Sequence, residues 1–191
     1  MLGKTYRELV SERLCLKRLS AAECTEIYVG WLNDPEVNKY LETRFSGIQT
    51  KASIRSFVDD VNRRGNEYLF GIFLRAGDRH IGNIKLGPVT VAHGIADVSL
   101  FIGERDAWGK GYASEAIQSI TDFGFQSLGL RKLCASMYAP NEGSRRAFLK
   151  CGYREEGRRP DHYLLDERPC DLVLLSLFRS DYHPNHLSHG Q

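Results

Sequence analysis

This chain has neither a long apolar run nor a strong excess of charge of one sign. No stretch approaches the roughly 20 apolar residues that a membrane-spanning helix needs, so we expect no membrane partner. The N-terminal segment carries charges and lacks the apolar core of a signal peptide, which predicts a cytoplasmic protein. The net charge is only +2 and no run of Lys and Arg stands out, which argues against a nucleic-acid partner.

Cysteine is sparse and unpatterned. The cysteines, odd in number and without a CxxC pair, are Cys15, Cys24, Cys134, Cys151 and Cys170. Most stand beside apolar residues, which favours reduced, buried thiols over a disulfide framework or a metal site. Three histidines near the C-terminus, His183, His186 and His189, could bind a metal adventitiously, but the polar residues around them favour a frayed terminus. We therefore expect no metal.

The composition is that of an ordinary globular domain. The 191 residues, 42% hydrophobic and 26% charged, suit one domain with a sizeable core. Neither an internal repeat nor a linker divides the chain. We expect a single domain over residues 1–182 and a flexible tail over residues 183–191.

Hydrophobic periodicity predicts alternating strands and helices along this domain. The expected strands are 11–19, 68–75, 80–86, 96–102, 131–138, 161–165 and 171–179. Four helices are expected. The first begins at a Ser20 cap, with Glu23 at the capping-box position, and ends at the break of residues 33–35; the second runs from a Thr50 cap to Gly65. The third follows the glycine-rich loop and stops near Gly129, and the fourth runs from a cap at Asn141 or Ser144 to Gly152. The pattern indicates one mixed α/β domain.

The most informative stretch is Leu100–Ala113, where an apolar strand runs into a loop with glycines two apart and then into a helix. Backbone N–H groups at such a helix start can hold a phosphate or pyrophosphate, and glycine keeps the wall of the cradle thin. A Walker-type loop does not fit because Gly111 follows Lys110, and the GxGxxG fingerprint fails because Ser114 replaces its third glycine. A glycine-rich turn without a ligand is the alternative interpretation of the loop alone.

Segment 106–111 resembles the coenzyme A loop of the GNAT superfamily of acyltransferases, which usually has Gln or Arg at the position of Asp106. The element order resembles that fold over residues 11–180. The segments that resemble the branch containing the bacterial ribosomal-protein N-terminal acetyltransferases are 31–37, 108–116, 141–144 and 150–153. The resemblance implies a single-domain GNAT-like α/β (α+β) fold, with a mixed, mostly antiparallel twisted sheet, helices on both faces and a splayed pair of parallel strands.

The resemblance places acetyl-CoA between strands 96–102 and 131–138. The pantetheine arm would bond to the backbone of Leu100, Phe101 and Ile102, and an N–H near Phe101 would stabilise the oxyanion. Such bonds would satisfy main-chain groups that the splay leaves unpaired.

The resemblance also implies further coenzyme contacts. They are Gly109, Lys110, Gly111, Tyr112 and Ala113 at the pyrophosphate, Asn141 at the pantetheine amide, Lys150 at the 3′-phosphate, and Phe148, where many members carry tyrosine. A helix N-cap is an alternative role for Asn141, and a solvated helix-end lysine is one for Lys150.

Acyl transfer to an amine needs a base for the amine, a donor for the oxyanion and an acid for the departing thiolate. A thioester is already activated, so direct attack suffices without a covalent intermediate. The candidate acids are Ser144, which matches a serine of that branch, and Tyr138 at a strand end, and the candidate bases are Asp97 and His162. Each also has a purely structural interpretation as a cap, a packed strand residue or a surface group.

The leading hypothesis is an acetyl-CoA-dependent N-acetyltransferase that acts by direct attack in a ternary complex. Its acceptor would be the primary amine of a small molecule of the amino sugar or polyamine type. Two alternatives remain open: acetylation of a protein N-terminus, such as that of a ribosomal protein, and a non-catalytic sensor domain that binds coenzyme A. Monomer and homodimer are both compatible with the sequence.

Overall fold

The computed structural model describes residues 6–183, so the expected tail residues 184–191, with His186 and His189, lie outside the described part. The strands are β1 Glu8–Val10, β2 Leu14–Arg18, β3 Tyr68–Leu74, β4 His80–Leu86, β5 Ile95–Ile102, β6 Lys132–Tyr138, β7 Arg154–Leu165 and β8 Arg168–Phe178. The helices are α1 Glu26–Asn33, α2 Pro35–Asn38, α3 Lys51–Arg64, α4 Tyr112–Asp122 and α5 Glu142–Lys150.

The strands form one eight-stranded sheet in the order β1-β2-β3-β4-β5-β6-β8-β7. Neighbours pair antiparallel everywhere except between β5 and β6, which are parallel. A parallel pair needs a crossover connection, and here α4 supplies it. The mixed, mostly antiparallel sheet with one parallel pair is the one that the family resemblance implies, and the parallel pair lies near its centre.

Helices cover both faces of the sheet, so the domain has two apolar cores. On one face α4 and α5 pack against the sheet, with Ile117 and Phe148 buried there. On the other face lie α1, α2 and α3, with Trp31 and Val58 buried. Successive side chains of β5 and β6 point to opposite faces of the sheet, so alternate residues of these strands face α4 and the others face α1.

Two sequence predictions need correction near the N-terminus. The strand expected over residues 11–19 is interrupted: the N–H of Ser11 donates to the carbonyl of Leu14, and this turn leaves a short additional strand, β1, before β2. The capping box of Ser20 and Glu23 forms as expected, but it caps only a single 3-10 turn, Ala21–Glu23. Helix α1 starts later because Thr25 caps it by accepting from the N–H of Tyr28.

The remaining helix boundaries follow the sequence more closely. Helix α3 has Thr50 as its N-cap and Gly65, in the left-handed region, as its C-cap, as predicted. Helix α5 is capped by Asn141. Strand β7 begins at Arg154, earlier than expected, because it is a largely exposed edge strand and its charged residues give no apolar alternation.

Candidate active site

The parallel strands separate after a short stretch of pairing. Their register is Ile95↔Lys132, Ala96↔Leu133 and Asp97↔Cys134. Beyond Asp97, β5 stays paired with β4 up to Ile102, and β6 stays paired with β8 up to Tyr138. The facing edges of β5 and β6 are therefore unpaired and form a V-shaped slot. Unpaired backbone groups need another partner, and an extended amide-containing ligand fits that need.

The register decides which backbone groups point into the slot. The N–H of Gly87 donates to the carbonyl of Asp97, and a side chain on Gly82 would meet the carbonyl oxygen of Phe101 at 2.3 Å. Because backbone direction alternates in an antiparallel pair, the groups of Phe101 face β4 while those of Leu100 and Ile102 face the slot. The expected Phe101 N–H in the slot does not fit this register, and Leu100 is the residue placed to supply that donor.

The carbonyl of Ile102 already has a partner. The indole Nε1–H of Trp108 donates to it at 2.8 Å. A ligand bonded at Ile102 must use its N–H, share the carbonyl or displace the indole. Within residues 6–183 no side chain of the loop bonds to the backbone of Leu100, so Leu100 is better placed than Ile102 to bond a ligand.

The glycine-rich loop has the geometry of an anion cradle. Gly109 and Gly111 have φ of +73° and +82°, a region that L-residues with side chains rarely adopt. Gly111 is the N-cap of α4 and offers no capping side chain, so N–H groups of Tyr112 and Ala113 remain open to a ligand. A side chain added at Gly109 would meet open space. These residues fit a pyrophosphate held by main chain at a helix N-terminus.

Side chains from two other parts of the chain hold this loop in place. Arg79 makes two 2.8 Å bonds to the carboxylate of Asp106, which keeps the pKa of Asp106 below its usual value. Trp31 donates from its indole to Glu104 at 2.9 Å, and its ring would clash at 2.1 Å with a side chain on Gly103. Asp106, which departs from the family pattern, therefore serves as the anchor of an ion pair.

A residue that sequence reasoning missed lies beside the cradle. Arg13 donates from Nε to Glu115 at 2.7 Å and from Nη1 to the carbonyl of Lys110 at 3.0 Å. Its guanidinium also stands 4.6 Å from the ring centre of Tyr112. No local pattern could have indicated this position, because Arg13 and its partners are about a hundred residues apart in sequence.

Tyr138 ends β6 on the sheet face opposite α4 and α5. Its neighbours Ala135 and Met137 belong to the core under α4, so the alternation turns Tyr138 to the other side. Its hydroxyl donates to Oε1 of Glu42 at 2.8 Å, and its ring stacks on Tyr163 at 4.5 Å. Burial raises the pKa of Tyr138, and the carboxylate of Glu42 raises it further, so the phenol stays protonated.

The arginine after Glu42 completes this cluster. Nη2 of Arg44 donates to the hydroxyl of Tyr138 at 3.1 Å and to the carbonyl of Leu164 at 2.7 Å. Glu42 and Arg44 belong to a 3-10 turn, Glu42–Phe45, in a segment whose sequence shows no periodicity. The sequence of this segment therefore gives no residue-level signal for Glu42 or Arg44, and Tyr163 stands only as a member of the expected strand 161–165.

The two candidate bases lie apart from each other. Asp97 stands at the apex of the slot, opposite Cys134, which is four residues or about 13 Å along β6 from Tyr138. Asp97 is exposed overall, but local desolvation beside β4 and β6 raises the pKa of its carboxyl, and the Lys85 ammonium partly opposes the shift. His162 is an exposed residue of β7, and its ring lies 4.9 Å from that of Tyr163.

The remaining candidates lie on α5. The side chain of Asn141 accepts from the N–H of Ser144 at 3.2 Å, so the N-cap role of Asn141 is realised. Lys150 is exposed in the last turn. Phe148 is only 2% exposed and packs on Tyr153 at 5.0 Å, so its side chain offers almost no surface to a ligand.

Neither a metal site nor a reactive thiol is apparent in the described residues. Within 6–183, no group of three His, Cys, Asp or Glu side chains is arranged to hold an ion. All five cysteines are free, and burial raises the pKa of Cys134 and brings that of Cys151 to about 12. Over the same span no helix has both the length and the apolarity to cross a bilayer.

Comparison with known proteins identifies the family. A family model described as an acetyltransferase (GNAT) domain matches residues 13–154. The chain is 29% identical over 175 residues to the uncharacterized N-acetyltransferase p20 of Bacillus licheniformis, covering 91% of this chain and 97% of that protein. It is 26% identical over 102 residues to a spermidine N(1)-acetyltransferase of Vibrio cholerae, covering 53% of this chain and 58% of that protein.

A solved structure shows the same fold. The spermidine N-acetyltransferase from Vibrio cholerae, crystallised with CoA and spermine, has a TM-score of 0.80 and 20% identity, covering 90% of this chain and 98% of that one. The family model matches most of the chain, and the same chain contains the splayed parallel strands and the glycine-rich loop described above. The chain belongs to the GNAT family of acetyltransferases.

Proposed function

We propose that this acetyltransferase transfers the acetyl group of acetyl-CoA to a primary amine of a small molecule, by direct attack in a ternary complex. The observation that carries the proposal is the loss of β5–β6 pairing after Asp97 and Cys134, immediately beside the uncapped start of α4. An unpaired strand edge and an anion cradle at adjoining positions match the two chemically different parts of acetyl-CoA, its amide arm and its pyrophosphate.

Binding of the donor is assigned to main chain rather than side chains. The backbone of Leu100 and Ile102 bonds to the pantetheine arm, and the N–H groups from Gly109 to Ala113 hold the pyrophosphate. Asn141 has its oxygen engaged in the helix cap, so its amide N–H₂ is the part free to meet the ligand. Lys150 is exposed and can reach a phosphate, whereas the buried Phe148 packs in the core under α5 and offers the ligand almost no surface.

The reaction replaces the carbon–sulfur bond of the thioester by a carbon–nitrogen bond, and it requires loss of a proton from the amine and gain of a proton by the thiolate. The amine nitrogen forms a bond to the acetyl carbon, the carbon–sulfur bond breaks, and the Leu100 N–H stabilises the oxygen that becomes negative. Asp97, whose raised pKa makes it a stronger base than an ordinary aspartate, takes the amine proton through water, with His162 as the other candidate. Tyr138 or Ser144 protonates the departing thiolate. The high pKa of Cys151 agrees with a route without a thiol nucleophile.

The acceptor in this proposal is a small amine. Relatives named for spermidine acetylation favour a small amine, of which polyamines and amino sugars are two types. A protein N-terminus is the alternative acceptor. We place the reaction in the cytoplasm, in a single domain over residues 1–182 that acts as a monomer or a homodimer.

The test begins with titration calorimetry of acetyl-CoA and free CoA against the wild type and Gly111→Val. A valine at Gly111 would force a β-branched residue to a φ of +82° and fill the cradle, so affinity should fall at least about tenfold. Gly129→Val is the matched control, since Gly129 also has a positive φ, +67°, and meets nothing within 4 Å. Equal affinity in the two variants would contradict the placement of the pyrophosphate.

Turnover is tested by thiol release with a panel of amines and with short peptides. Release with small amines supports the proposal, and release with peptides alone selects protein N-termini. Tight CoA binding without release from any acceptor would overturn the enzyme activity and leave a sensor.

A further inference from the structure

The cluster around Tyr138 contains two opposite charges that do not pair with each other. Glu42 accepts from the hydroxyl of Tyr138, and Arg44 donates to the same oxygen. Counting residues 6–183, neither Glu42 nor Arg44 lies within ion-pair distance of an oppositely charged side chain. Both charges therefore remain available to a ligand.

This cluster lies on the acceptor side of the slot. The cradle and α4 occupy one face of the sheet, whereas Tyr138 projects from the other. If the register of Asp97 and Cys134 is continued along both strands, Tyr138 stands across the slot from Phe101, next to Leu100. An amine that attacks through the slot must approach past Tyr138, Glu42 and Arg44.

The contacts of Arg44 are all to neutral oxygens. Besides Tyr138, they are the carbonyls of Lys39 and Leu164. The guanidinium is half-buried against the rings of Tyr138 and Phe45, at 4.9 and 4.4 Å. A partly desolvated cation without a counter-charge is stabilised by an arriving anion, and a guanidinium binds carboxylate or phosphate with two parallel bonds.

From this arrangement we infer that the acceptor is an amine that also carries an anionic group, a carboxylate or a phosphate. This inference rests on the proposed function and narrows its acceptor class. The ammonium of the acceptor lies against Glu42 before it loses its proton, and its anionic group lies against Arg44. A polyamine would bring a second positive charge towards Arg44 and be disfavoured by repulsion.

Aromatic rings close the sides of this site. Tyr163 stacks on Tyr138 at 4.5 Å, and the ring of Tyr40 lies 5.8 Å from that of Tyr138. The hydroxyl of Tyr40 donates to the carbonyl of Pro140 at 3.3 Å, which ties the α2 side to the loop before α5. Rings that exclude water strengthen the interaction of Arg44 with an anion.

The experiment compares acceptors that differ by one anionic group. Ornithine against putrescine tests the carboxylate, and glucosamine 6-phosphate against glucosamine tests the phosphate, with spermidine as a polycation. Thiol release gives kcat/KM for the wild type, Arg44→Gln and the control Arg63→Gln. Arg63 is an exposed arginine of α3 whose partner, Asp60, is remote from the slot. Thermal unfolding confirms that each variant is folded.

We expect the anionic member of at least one pair to react about tenfold or more faster than its partner, and the pair identifies carboxylate or phosphate. Arg44→Gln should lower kcat/KM for that acceptor by about ten- to a hundredfold, mainly through KM, and change kcat/KM for the member of the pair without the anionic group less than about threefold. Arg63→Gln should change neither.

Faster reaction of putrescine or spermidine than of both anionic acceptors would overturn the inference while leaving the proposed function intact. An equal loss for both members of a pair in Arg44→Gln would assign Arg44 to structure and also overturn it. Absence of thiol release with every amine would overturn the inference together with the proposed function.

Discussion

The phenol of Tyr138 and the carboxylate of Glu42 are joined by a 2.8 Å hydrogen bond that spans 96 residues of sequence. It connects the end of β6 to the turn after α2, so it links one wall of the slot to the face of the sheet opposite α4. Because burial and the Glu42 charge both raise the pKa of Tyr138, the hydroxyl is held as a proton donor. A general acid must carry its proton before it acts, although the same raised pKa makes this phenol a weaker acid than a free tyrosine.

Tyr138→Phe removes that proton while keeping the ring on Tyr163. If Tyr138 is the acid, kcat should fall on the order of a hundredfold while the affinity for acetyl-CoA, measured by calorimetry, stays unchanged. Ser144→Ala would then have little effect on kcat.

Tyr182→Phe is the matched control for this prediction. Tyr182 also donates its hydroxyl to a carboxylate, that of Asp122, but it lies away from the slot. Full activity of Tyr138→Phe, or a large loss in Ser144→Ala alone, would transfer the acid role to Ser144.

Asn141 has two expected roles, and a pair of variants separates them. Asn141→Ala removes the cap of α5, and Thr50→Ala removes the cap of α3, which lies on the other face of the sheet. Each should lower the free energy of unfolding by about 1 kcal/mol, measured by urea denaturation. Asn141→Ala should additionally weaken acetyl-CoA binding about three- to tenfold, because it removes an amide donor. Equal CoA affinity in both variants would leave Asn141 with the cap alone.

His80 should make stability depend on pH. Burial against Trp31 and Phe73 lowers the pKa of His80, although hydrogen bonds to Asn83 and Gly82 oppose the shift. A lowered pKa in the folded state means that the unfolded chain binds the proton more readily. The free energy of unfolding therefore falls as pH drops below about 6.5, by at most about 1.4 kcal/mol per pH unit from this group.

The measurement is urea unfolding between pH 5 and pH 8 for the wild type and His80→Gln. Between pH 8 and pH 5 the free energy of unfolding should fall more in the wild type than in His80→Gln, because the variant lacks this titrating group. Parallel curves over the whole range would show that His80 does not contribute.

Local signals in the sequence accounted for much of the fold. The Thr50 cap and Gly65 stop fixed α3, because both act through backbone bonds within one turn. The Ser20 capping box was equally clear, yet it caps only a 3-10 turn. Thr25 has the same capping chemistry five residues later, and only packing of α1 in the second core determines which cap starts the long helix.

The sequence indicates the proposed coenzyme-binding half of the site more directly than the proposed acceptor half. The donor half lies in one continuous stretch, from Leu100 to Ala113, where strand, glycines and helix follow one another. The choice of Leu100 over Phe101 depended on the pairing register with β4, a long-range property. The acceptor half brings Glu42 and Arg44 to Tyr138 from a segment without periodicity.

By itself the sequence determined the class of fold and the strand, glycine-rich loop and helix of segment 100–113, since glycine conformations, helix starts and apolar alternation are properties of neighbouring residues. Only the tertiary structure decided where the parallel strands separate and which charges meet at Tyr138. Those features depend on contacts between residues about a hundred positions apart, and such contacts form only when the whole sheet is assembled.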